Sequence, residues 1–157
     1  MTASASPDFV ERMGSALTHA GLPRVPSLVF SALLVDDDGR MTAAELASRL
    51  DLSAGSISGA VRYLEQVGMA RRERERGSRR DVYVVDDDAW HGAMMRHDQV
   101  YAPMVAALSS GLAMYTADSP VHRRLLMTRE FLTFIDAEMA ALAARWERRR
   151  AEIEAAT

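Results

Sequence analysis

The 157-residue sequence contains no cysteine. Disulfide scaffolds, thiolate zinc sites and cysteine nucleophiles are therefore excluded together. It also lacks lysine, so all 19 basic residues are arginine. Aromatic residues make up only 6%, which leaves little material for the aromatic cage that a quaternary ammonium ligand requires. No apolar run approaches the ~18–20 residues of a membrane span. Residues 1–8 show neither the basic start nor the apolar stretch of a signal peptide, so the expected location is cytoplasmic, with no membrane partner. Glycine-rich phosphate loops, HExxH and GxSxG patterns are all missing, and no enzyme activity and no catalytic residue is expected. The aspartate triplets at 36–38 and 86–88 fall where elements end, which makes them turn and cap residues. The four histidines lack ligand spacing. Neither a metal nor a cofactor is expected.

What is present is an ordinary globular balance, 48% hydrophobic and 26% charged, on a chain long enough for one domain or two small lobes sharing a core. The net charge of −3 is unevenly distributed. Residues 1–39 hold two arginines against five acids, residues 40–85 nine against six, and residues 86–157 eight against eleven. Only the middle third is basic, and a basic island in an acidic chain points to an anionic partner for that part.

The periodicity supplies the elements. Ser6 and Pro7 open a first helix carrying Phe9, Val10, Met13 and Leu17 at three- and four-residue spacing, closed by Gly21 and Pro23. Residues 25–35 are too continuously apolar for a surface and are predicted to cross the core. Thr42, with Glu45 three residues on, is a capping box for a short helix. Ser53 caps a second helix, which ends at Gly68; Ile57, Val61 and Leu64 face one way, and Ser56, Gly59 and Arg62 face another. Two short helices joined by a tight turn form a helix-turn-helix pattern. The period then changes to 2. Residues 69–76 and 81–85 read as the strands of an arginine-rich hairpin with Gly77 and Ser78 at its tip. From Ala89 the chain reads as helix to its end, with Pro103 a candidate bend and a break at 118–120.

This order of elements, with the sequence MTAAELASRLDLSAGSISGAVRYLEQVGMARRERERGSRRDVYVV at 41–85, resembles the MarR-type winged helix-turn-helix transcription regulators. Within that family it resembles the branch of choline-sensing repressors of glycine betaine synthesis. The segment ELASRLDLSAGSISGAVRYLEQVGM resembles the paired helices, and GSRRDVY resembles the wing. The chain departs from the family at Gly59, where many members carry a bulkier polar residue. It also has Ser78 two residues before Arg80, where many members carry an aspartate. The expected fold is mainly α with a small β-hairpin. A winged helix-turn-helix DNA-binding lobe would span 24–86, and 1–23 with 87–157 would form a long-helix dimerisation lobe.

Short hydroxyl side chains and a guanidinium on a groove-sized helix suit contact with base edges, so Ser53, Ser56, Ser58 and Arg62 are candidate DNA-binding residues. Arg76, Arg79 and Arg80 near the hairpin tip suit the narrow, negative minor groove. Arg71, Arg72 and Arg74 either meet DNA or pair with Glu73 and Glu75. The partners expected are double-stranded DNA and a second copy of the chain. The homodimer seam reads as Leu125, Leu132, Ile135, Met139, Leu142 and Trp146, helped by Phe9, Val10 and Met13; the alternative is that this seam packs within its own subunit. The family resemblance implies a small-molecule effector of unknown identity, with Trp90, Met94, Tyr101 and Met104 as candidate lining; the alternative is that these residues are plain core or dimer-interface packing. The expected function is a dimeric repressor on a near-palindromic operator. The rival reading is a winged-helix module that binds protein instead.

Overall fold

The computed structural model describes residues 7–74, 77, 80–94 and 97–156, with backbone only at 7, 94 and 97–99. Helix α1 runs Pro7–His19 and α2 runs Arg24–Leu34. Between them Gly21 takes φ +105°, a conformation that costs a glycine little, and its N–H donates to the Thr18 carbonyl. Residues 26–33 of α2 are all buried, as the unbroken apolar run requires. The run includes two serines. Ser27 and Ser31 donate their hydroxyls to the carbonyls of Pro23 and Ser27, at 2.9 and 2.7 Å, so neither is buried unsatisfied.

The turn at 36–39 is tied by Asp36, whose Oδ1 accepts from the backbone N–H groups of Asp38 and Arg40. Gly39 follows at φ +63°, and a Cβ there would lie 2.8 Å from the Val85 carbonyl oxygen. The bare backbone lets strand β1, Arg40–Thr42, approach strand β3, Asp81–Val84. With β2, Arg71–Arg74, they make an antiparallel sheet in the order β1-β3-β2. Met41 and Arg72 both lie opposite Tyr83, one on each side. The hairpin of β2 and β3 follows the sequence reading. The third strand does not: three residues are too few to show a period, and they read as a lead-in to the next helix.

Helices α3, Ala43–Leu50, and α4, Ala54–Val67, form the helix-turn-helix. Helices α5, Ala89–Met94, α6, His97–Leu112, and α7, Pro120–Ala156, complete the chain, with Pro103 inside α6. The molecule divides into two compact units, residues 1–93 and 94–157. In the first, Val10 and Leu17 of α1 share one core with Phe30 and Leu33 of α2, Leu46 of α3, and Ile57 and Leu64 of α4. Trp90 of α5 sets its ring edge-on to Phe30, with centroids 5.7 Å apart. In the second unit α6 packs with α7, where Gly111 leaves room for Leu125: a Cβ on the glycine would lie 3.4 Å from Leu125 Cδ1. None of the 37 residues of α7 is buried.

Candidate nucleic-acid interface

The helix-turn-helix is fixed by its caps. Thr42 Oγ1 accepts from the Glu45 N–H, and the Glu45 carboxylate accepts from the Thr42 N–H at 2.7 Å and from the Thr42 hydroxyl at 2.8 Å. These hydrogen bonds, first that from the Thr42 backbone, hold the Glu45 carboxyl below its usual range. Asp51 closes α3 in the left-handed region at φ +51°, turning the chain sharply into α4. Ser53 Oγ accepts from the Ser56 N–H at 3.1 Å and lies 2.9 Å from the Ser56 hydroxyl. Ser53 is therefore first a cap, worth about 0.5–2 kcal/mol.

Beyond the cap, α4 has two faces. Ile57, Ala60, Val61 and Leu64 are buried. Gly55, Ser56, Ser58, Gly59 and Arg62 are exposed. Positions 55, 59 and 62 share one row at i, i+4 and i+7, with Ser58 beside it. At Gly59 a Cβ would meet nothing within 4 Å, and at Gly55 only the Ser53 hydroxyl at 3.9 Å. No packing demand explains these two glycines, and the row they leave is low, polar and capped by a cation. The first turn of α4 also presents the N–H groups of Ala54 and Gly55, which have no partner among the described residues, at a positive dipole end, which favours phosphate.

The hairpin arginines divide sharply. Arg71 reaches Asp86 with two nitrogens: Nε donates to both carboxylate oxygens at 3.1 and 3.2 Å, and Nη2 to Oδ1 at 2.8 Å. It also pairs with Glu73, whose other oxygen accepts from Arg40 Nη2 of β1 at 3.0 Å. One ionic chain thus links β1, β2 and the segment that follows β3. The Arg71 hydrogen bonds hold the Asp86 carboxyl below its ordinary value, and the same bonds raise Arg71. On the opposite face Arg72 lies 3.4 Å from Asp81 and 3.7 Å from Glu65 of α4. Tyr83 is buried beneath, and burial pushes its phenol up. Arg74 is exposed and has no hydrogen-bond or ion-pair partner among the described residues. Arg80 is exposed just before β3; Arg76 and Arg79 lie outside the described residues. The acids that answer Arg71 and Arg72 are thus Glu73, Asp86, Asp81 and Glu65. Period-2 spacing puts Arg71 and Glu73 on one face, so part of this lattice was legible. The roles of Asp86 and Arg40 were not.

The other expected residues are placed as follows. Trp90, 40% exposed, lies in the first unit, while Tyr101, half-buried, and Met104, exposed, lie on α6 of the second. The Met94 side chain is outside the described residues. On α7, Leu125, Leu132, Ile135, Met139 and Trp146 are half-buried, and Leu142 is exposed. Sequence reading missed the most exposed large apolar side chains of α7: Met127, Phe131 and Phe134, at 62%, 61% and 60%.

A small antiparallel sheet closing on a capped pair of helices is the winged helix-turn-helix fold. Two family models match the chain: the MarR family at residues 20–81, and the MmpR5-like MarR family transcriptional regulators at residues 88–149. The chain is 30% identical over 146 residues to the HTH-type transcriptional regulator MmpR5 of Mycobacterium tuberculosis, covering 92% of this chain and 88% of that protein. It is 38% identical over 60 residues to the HTH-type transcriptional regulator YcgE of Bacillus subtilis, covering 38% of this chain and 39% of that protein. A crystallised transcriptional regulator superposes with a TM-score of 0.78 at 27% identity, over 90% of this chain and 97% of that one. The chain belongs to the MarR family of transcriptional regulators. That family consists of DNA-binding regulators, not enzymes. No described helix is long and apolar enough to cross a membrane.

Proposed function

We propose that the chain is a repressor that binds a near-palindromic operator as a homodimer and is released by a small effector. The observation that carries the DNA reading is the exposed row of α4, where Gly55, Ser58, Gly59 and Arg62 stand on a helix held from behind by Ile57, Val61 and Leu64. One such helix makes too few base contacts for the ~10⁻⁸–10⁻¹¹ M of specific regulators, so two must act together, about 34–36 Å apart. Helix α7 supports the pairing. At 37 residues it is ~55 Å long, and it leaves Met127, Phe131 and Phe134 uncovered at i, i+4 and i+7. The seam from Leu125 to Trp146 lies on the same helix, whereas Val10 of α1 is buried in the core of the first unit and is not part of the proposed surface.

The effector candidates are Tyr101 and Met104 on α6 of the second unit and, separately, Trp90 of the first, whose side chains suit an apolar ligand. The likeness to the choline-sensing branch rests on residues 41–85 alone, and choline is not proposed as the effector. A regulator of this kind acts in the cytoplasm.

The test is fluorescence anisotropy on the inverted repeats flanking the gene, against random duplex at matched salt. Arg62→Ala is expected to cost about 1–3 kcal/mol on the operator, with discrimination against random DNA lost. Equal affinity of the wild type for every duplex removes the operator reading. Affinity for a protein partner that barely responds to salt, with no DNA binding, establishes the protein-binding module instead.

A further inference from the structure

The basic island at 40–85 holds nine arginines, and the structure sorts six of them. Arg40, Arg71 and Arg72 are tied into the strand lattice, and Arg49 lies 3.8 Å from Asp36. Arg62 and Arg74 are exposed and have no such partner among the described residues.

Phosphate recognition favours the second group. An arginine held by two carboxylates must give up bidentate, charge-assisted bonds before it can take a phosphate, and the exchange gains little. It also leaves the acids exposed to the DNA, where they repel it. Arg74 carries neither cost. It lies directly opposite Asp81 in the ladder, yet the Asp81 carboxylate sits with Arg72 instead, on the diagonal. Position adds to this. Arg71 pairs with Val84 at the base of the hairpin, whereas Arg74 is the last residue of β2, at the end toward Gly77.

We propose that Arg74 is a phosphate-binding residue of the wing, and that Arg71, despite lying in the same arginine run, is a strut that makes no DNA contact. The inference rests on the DNA-binding reading above and deepens it. It also explains how a run of alternating arginines and glutamates serves two purposes: paired residues set the pitch of the wing, and one without a partner among the described residues meets the DNA backbone.

Counterion release separates the two roles without knowledge of the operator. The logarithm of affinity falls with the logarithm of salt by about 0.9 for each phosphate neutralised. The probe is a random duplex of about 30 base pairs, titrated with the full chain between 50 and 200 mM salt. Arg74→Ala is expected to flatten the slope by about 0.9 for each subunit engaged, which is about 3.5-fold less loss of affinity per subunit across that range. Arg71→Ala is expected to leave the slope unchanged. Arg74→Gln repeats the first measurement with the stem retained, and circular dichroism checks that each variant is folded. A wild-type slope that Arg74→Ala and Arg74→Gln leave intact overturns the proposal, as does an equal flattening by Arg71→Ala. Wild-type protein with no salt-dependent DNA binding at all overturns the DNA reading itself, a different and recognisable result.

Discussion

Gly59→Ala separates the demands of folding from those of DNA binding at a single atom. Gly59 lies inside α4, is exposed, and has open space where a Cβ would go. Its φ is not in the left-handed region, so alanine fits the backbone without strain. Glycine in a helix interior costs about 0.8–1.0 kcal/mol relative to alanine. The variant should therefore be more stable by about that amount, which raises the melting temperature by roughly 2–4 °C for a chain of this size. The same methyl stands in the row formed with Gly55, Ser58 and Arg62, the row proposed to approach base edges. Close approach is what the missing side chain permits, and filling it should weaken operator affinity by about 1–3 kcal/mol, as for the loss of one base contact. Thermal unfolding followed at 222 nm and anisotropy on the operator measure the two effects on the same preparation. Stability that rises while affinity is unchanged removes α4 from the base-reading surface. Stability that falls means the residue is held by something its open surroundings do not reveal.

Phe131→Glu should weaken the dimer roughly 10²–10⁴-fold in sedimentation velocity. Burying a Phe is worth about 1.5–3 kcal/mol, it is lost twice across a two-fold, and a charge takes its place. A species of 17.3 kDa at micromolar wild-type concentration that still binds an isolated half-site tightly refutes the dimer reading altogether. Thr42→Ala should cost about 0.5–2 kcal/mol by removing the cap of α3, checked by the urea midpoint. Because Glu45 is held below its ordinary pKa in the folded chain, its contribution is full above about 4.3 and fades as pH falls through the depressed folded value. The wild-type and Glu45→Gln stability curves should therefore converge in acid, and parallel curves would show that the Glu45 charge does not act through this box.

The parts of the fold that were legible share one property: a few neighbouring residues decide them. Thr42 with Glu45, Ser53 with Ser56, and Gly68 at φ +75° are local solutions to unsatisfied helix ends, and each lies where the pattern put it. Ile57, Val61 and Leu64 needed only the 3.6 period. Strand β1 was not legible because its evidence lies elsewhere in the chain. Arg40–Thr42 becomes a strand only because β3 offers an edge and Gly39 lets it come close. Asp86 is similar: in sequence it is one of three turn aspartates, and only the strand register brings Arg71, 15 residues away, onto its carboxylate.

The same reasoning explains the uneven picture of α7. A heptad repeat of Leu125, Leu132, Met139 and Trp146 states that a helix has an apolar seam, but it does not say which neighbour covers it. In the folded chain these residues are half-buried, and Leu125 packs toward Gly111 of the same unit. Met127, Phe131 and Phe134 belong to a second apolar row that the seven-residue spacing hides, since they recur at four and three. A helix with two apolar rows and no buried residue has more to cover than α6 supplies. A sequence period can identify the first row, but only the exposed surface shows that the second is still uncovered. For that reason Phe131, rather than any heptad position, is where the dimer is best tested.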